Sequence, residues 1–74
     1  MGNTLEIEGR IRLGQRIRDL RKAKNLSMEE LANIADIELS QVARIETAKI
    51  NPKLSTLFIL ARALEISPRE LFPE

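Results

Sequence analysis

The hydrophobic positions of this 74-residue chain recur three and four apart over most of its length, and polar or proline-containing stretches divide the pattern into segments. Leu13, Ile17, Leu20 and Lys24 share one helical stripe with Arg18 and Lys22 opposite, which predicts a first helix over 13–24. Asn25 suits its end. Ser27 and Glu30 form a Ser-x-x-Glu capping box: the hydroxyl accepts from the third backbone N–H and the carboxylate reaches back. That opens a second helix with Leu31, Ile34 and Ala35 facing inward. A third helix buries Val42 and Ile45. Asn51-Pro52 is a break, because proline disfavours helical geometry in the residue before it. A fourth helix follows, with Leu54, Leu57, Leu60, Ala61 and Leu64 on one face. Ser67-Pro68-Arg69-Glu70 is a second capping box with proline at the first helical position, and it opens a short fifth helix through Phe72. The expected fold class is all-α, with five helices.

Only Ala35, Asp36 and Ile37 separate the second helix from the third. So short a turn cannot lay two helices antiparallel; it forces a steep crossing and leaves the second one projecting. The projecting helix carries Glu38, Ser40, Gln41 and Arg44, polar residues that the core does not need. The start of the chain fits less simply. If the first helix ran straight back, Ile7 and Ile11 would lie opposite Leu13 and Ile17. Residues 1–12 are therefore expected to be an N-terminal arm or helix extension, a separate turn or a partner surface, attached to a domain at 13–74.

Composition then removes most chemistry. Cysteine is absent, so neither a disulfide framework nor a thiolate metal site is available. Histidine is absent too, and with it the commonest general base and metal ligand. No carboxylate constellation compensates, so neither an enzyme nor a cofactor is expected. No apolar run approaches the roughly 20 residues of a membrane span, and no signal-peptide pattern precedes the domain, which makes a cytoplasmic location the default expectation. The net charge of +1 conceals a polarised chain: residues 10–24 hold seven cations against Asp19 alone. Such a segment meets phosphate in some proteins and is a solvated helix face in more of them.

At these residues the chain resembles the phage-repressor, or Xre-type, helix-turn-helix family. The resemblance lies in "RIRDLRKAKNLSMEELANIADI", "VARIE", "NPKLSTLFILARAL" and "ISPREL", in that order and spacing, over roughly residues 13–72. It implies a compact five-helix phage-repressor-like domain and a sequence-specific DNA-binding transcription regulator. The helix around residues 38–46 would lie in the major groove, and a homodimer would bind a palindromic operator on double-stranded DNA. Small stand-alone regulators of this kind include restriction–modification controller proteins, phage-type repressors and antitoxins.

The family's base-reading positions fall on Glu38, Leu39, Ser40 and Arg44. A guanidinium at Arg44 fits guanine O6 and N7 bidentately. Glu38 suits either a cytosine amino group or the positive end of the helix dipole, and Leu39 either a thymine methyl or partial burial beside Val42. Ser40 and Gln41 are phosphate or base contacts, or ordinary first-turn polar residues. Phosphate contacts are expected at the start of the second helix and in the loop after the third. At the first of these Met28 replaces the usual glutamine and cannot donate, although the backbone N–H groups remain. At the second stand Thr47, Lys49, Asn51 and Lys53, with Ala48 in place of the usual glycine. The resemblance also implies a partly buried ion pair between Arg21 and Glu46. Ile59 points outward from the fourth helix and, with Ile66, Leu71 and Phe72, offers a dimer interface; Leu71 and Phe72 alternatively fold onto their own core. The competing class is a protein-interaction module that has kept the fold and lost DNA reading, with a protein partner instead, which Met28, Leu39 and the near-neutral net charge favour.

Overall fold

The computed structural model describes residues 4–73; Met1, Gly2, Asn3 and Glu74 of the two expected segments lie outside the described residues. The order of elements is α1 (Thr4–Ala23), α2 (Met28–Ala35), α3 (Leu39–Glu46), α4 (Leu54–Ala63) and a 3-10 helix (Pro68–Leu71), with no strand among the described residues. The expected fifth α-helix is thus a single 3-10 turn. Its capping box does form, with the Ser67 N–H donating to the Glu70 carboxylate at 3.2 Å. The turn stops at once because Pro73 holds Phe72 out of helical geometry, at φ −128°.

The first helix begins at Thr4 rather than at Leu13. Between Leu5 and Arg12 the chain contains good helix formers, and Glu6 and Arg10 stand i,i+4 with 3.6 Å between their charged groups. The extension leaves Leu5, Ile7 and Ile11 exposed.

One core joins the elements: Leu13 and Ile17 from α1, Leu31, Ala32 and Ala35 from α2, Val42 and Ile45 from α3, Leu57, Leu60, Ala61 and Leu64 from α4, and Leu71 from the 3-10 helix. α1 packs on α3, α2 on both α3 and α4, and the 3-10 helix closes against α4 and α1. Two residues expected inside are outside: Ile34 is 57% exposed and Leu54 68%. In α2 the buried stripe centres on Leu31, Ala32 and Ala35, which places Ile34 roughly 100° away at its edge. Leu54 is the first residue of α4 and sits at the rim of its stripe.

All four α-helices end on a left-handed residue, and none of the four is glycine: Asn25 (φ 59°), Asp36 (58°), Ala48 (63°) and Glu65 (59°). Each turn is closed by the same pair of bonds. After α3, for example, the Lys49 N–H donates to the Arg44 carbonyl at 2.8 Å and the Ala48 N–H to the Ile45 carbonyl at 3.1 Å. Asn and Asp tolerate this conformation through local hydrogen bonding, whereas alanine takes the full clash of Cβ with the following carbonyl, about 1–2 kcal/mol. Glycine would add about 0.4–1 kcal/mol of unfolded-chain entropy against that gain, so relief of the clash wins. Ala48→Gly is expected to raise the melting temperature by a few degrees at this domain size. A thermal scan showing an unchanged or lower midpoint would contradict the balance.

Candidate nucleic-acid interface

The capping box seen in the sequence sets the start of α2: the Glu30 N–H donates to the Ser27 hydroxyl at 3.0 Å and the Ser27 N–H to the Glu30 carboxylate at 2.8 Å. The left-handed Asp36 ends α2 and turns the chain within three residues into α3. α3 buries Val42 and Ile45, which points Ser40, Arg44 and Thr47 along the opposite stripe into solvent.

The Arg44 side chain is exposed and makes no intramolecular hydrogen bond or ion pair among the described residues. Glu38 occupies the N-cap of α3 but makes no side-chain cap bond, so its exposed carboxylate is uncommitted. Leu39 is also exposed, in accord with an outward apolar contact more than with burial beside Val42. Gln41 is half-buried on the flank of the stripe. The Thr47 hydroxyl donates to the Ala43 carbonyl at 2.7 Å, and its one hydrogen is therefore spent; in this geometry it accepts and cannot donate to phosphate. Met28 is half-buried and packs against the core. In the loop between α3 and α4, Lys49, Asn51 and Lys53 are exposed.

Two contacts fix the far end of α3. The first is the Arg21–Glu46 pair, in which Nε and Nη2 donate to the two carboxylate oxygens at 2.7 and 2.9 Å while Nη1 donates to the Leu26 carbonyl at 2.7 Å. One guanidinium thus ties α1, the α1–α2 turn and α3 together. The hydrogen bond to Glu46 raises the Arg21 pKa above its ordinary value, against the opposing effect of burial. The second contact is Gly14, whose absent Cβ would meet the Ile45 carbonyl oxygen at 2.5 Å and that of Glu46 at 2.8 Å. The sequence reading overlooked Gly14. Its signal is an isolated glycine inside a helical pattern, flanked by core residues Leu13 and Ile17.

Of the residues suggested for a dimer interface, Ile59 and Phe72 are exposed and Ile66 is half-buried against the core. Leu71 is only 1% exposed. The 3-10 turn swings it back onto its own core, so it is not presented to a second copy. Among the described residues no cluster of His, Cys, Asp or Glu could hold a metal ion, and no helix is long and apolar enough to cross a membrane.

Comparison with known proteins bears on this geometry. The helix-turn-helix family HTH_3 matches residues 17–71. The control protein C.SmaI of Serratia marcescens is 39% identical over 59 residues, covering 80% of this chain and 70% of that protein. The immunity repressor of Bacillus phage phi105 is 44% identical over 54 residues, 73% of this chain but 38% of the repressor. Among solved structures, the restriction–modification controller protein C.AhdI of Aeromonas hydrophila superposes with a TM-score of 0.84 at 44% identity, over 85% of this chain and 96% of its own. The match to the family spans α2, the turn and α3 together with the helices that brace them, and the chain belongs to the Xre-type helix-turn-helix family of DNA-binding transcription regulators.

Proposed function

We propose that this regulator binds a palindromic operator as a homodimer in the cytoplasm, with α3 in the major groove. The observation that carries the reading is the uncommitted stripe of α3: Ser40 and Arg44 face solvent on a helix whose C-terminal end is anchored by Arg21 and Gly14. Arg44 reads a guanine, Glu38, Leu39 and Ser40 complete the base contacts, and Lys49, Asn51 and Lys53 hold the backbone. Gln41 and the N-terminus of α2 at Met28 add further backbone contacts, whereas both donors of Thr47 are held by the Ala43 carbonyl. The second copy docks on the outer face of α4, where Leu54, Phe58 and Ile59 are exposed, with Phe72 and Ile66 beside it. Half-sites then lie one turn of DNA apart, about 34–36 Å. Control-protein and phage-repressor relatives support a role in gene regulation.

Selection of bound duplexes from a random pool tests the reading, with Arg44→Ala run in parallel. The wild-type protein is expected to enrich a palindrome, and Arg44→Ala to blur one position in each half-site at a loss of about 1–3 kcal/mol per half-site. Absence of enrichment would transfer the function to the protein-interaction module.

A further inference from the structure

We propose that Arg10 is an additional contact to the DNA backbone and that Glu6 is its built-in competitor, so that the N-terminal turns of α1 tune affinity. The inference rests on the DNA-binding reading above. Gly14 holds α1 against the end of α3, which brings the N-terminal half of α1 alongside the loop expected to meet phosphate. Glu6, Arg10 and Asn51 line one groove there, walled by Leu13, Pro52 and Phe72.

The polar groups of this groove are loosely matched. One Glu6 oxygen lies 3.6 Å from Arg10 Nη1 and 3.4 Å from Asn51 Nδ2, both long for charge-assisted bonds. Arg10 Nε is shielded from solvent and has no hydrogen-bond partner. A guanidinium with a spare donor and a stretched ion pair is not locked by its surroundings. A phosphate oxygen arriving at Asn51 offers the same donors a better-placed anion, and it meets repulsion from the Glu6 carboxylate. Binding therefore exchanges Glu6 for phosphate on Asn51 and Arg10. Every other acid of α1 lies apart from this groove: Asp19 accepts from Gln15 at 2.9 Å, and Glu8 is exposed.

The test is a salt titration of binding to one mixed-sequence duplex, for the wild type, Glu6→Gln, Arg10→Gln, the double variant and Glu8→Gln as a control for net charge. Thermal unfolding of each protein establishes that it is folded. Arg10→Gln is expected to make the log–log slope shallower by about 0.9 for each protomer bound, the loss of one phosphate contact per copy. Glu6→Gln is expected to tighten binding roughly fivefold for each protomer bound at low salt, the effect of removing a like charge at contact distance in water. Glu8→Gln should gain less, and the Glu6→Gln gain should shrink in the Arg10→Gln background. Equal gains from Glu6→Gln and Glu8→Gln, or an unchanged slope for folded Arg10→Gln, overturn the proposal while the DNA-binding reading stands. Failure of the wild-type protein to bind any duplex overturns both.

Discussion

Glu46→Ala is expected to lower the unfolding free energy by about 3–5 kcal/mol, the range found when one partner of a buried ion pair is removed. For a domain of this length the whole stability is about 4–11 kcal/mol, so much of the protein would unfold at moderate temperature. The size follows from what remains behind. Arg21 is 8% exposed, and without Glu46 its guanidinium keeps only the Leu26 carbonyl. Desolvation that the carboxylate had offset is then uncompensated. An arginine guanidinium keeps its proton throughout the ordinary pH range, so the side chain cannot escape by becoming neutral. A companion variant separates this mechanism from simple loss of packing. Replacing both partners, as Arg21→Met with Glu46→Leu, removes the charge along with its partner and should recover most of the lost stability. Denaturant unfolding of the single and double variants checks both statements. A double variant no more stable than Glu46→Ala would show that the pair matters for its shape and not for its charge.

The second large effect is expected at Gly14. In an ordinary helix interior glycine to alanine gains about 0.5–1 kcal/mol. Here the new methyl would lie 2.5 and 2.8 Å from two backbone carbonyl oxygens at the end of α3, and a backbone, unlike a flexible side chain, cannot turn aside. Overpacking of this kind costs about 1–3 kcal/mol, so the clash outweighs the propensity and Gly14→Ala destabilises. The melting temperature is expected to fall by several degrees and by up to about 20 °C, and the folded fraction should also bind DNA more weakly because α3 must move to admit the methyl. The exposed Gly9 supplies the internal comparison. Nothing lies within 4 Å of its missing Cβ, so Gly9→Ala in the same helix should stabilise. Melting curves that moved in the same direction for both variants would refute the close-approach argument.

These two positions also show what the sequence could and could not convey. Both capping boxes, the three-residue turn and the outward stripe of α3 are encoded locally, in residues that bond to their own neighbours, and they were legible. Family membership follows from the order of those local signals. Gly14 was not legible because its reason lies far along the chain, in the carbonyls of Ile45 and Glu46. Ile34 and Leu54 misled for a related cause: periodicity says that a residue sits near an apolar stripe, and only packing says where the stripe's edge falls. The length of α1 was hidden because Ile7 and Ile11 follow helical spacing but face away from the core. For the site, exposure of Arg44 followed from the burial of Val42 and Ile45. The Thr47 hydroxyl bond and the Glu6–Asn51 contact depend on rotamers and on distant chain, which no local pattern records.

The left-handed caps have a consequence for how long the protein persists in a cell. Proteases act on the unfolded form, and each 1 kcal/mol withheld from the native state enlarges that form roughly fivefold. Ala48 and Glu65 each hold a strained torsion that glycine would relieve. A regulator acts through its concentration, so these two backbone angles bear on how quickly its signal decays once synthesis stops. A glycine-capped version would spend less time unfolded and linger longer.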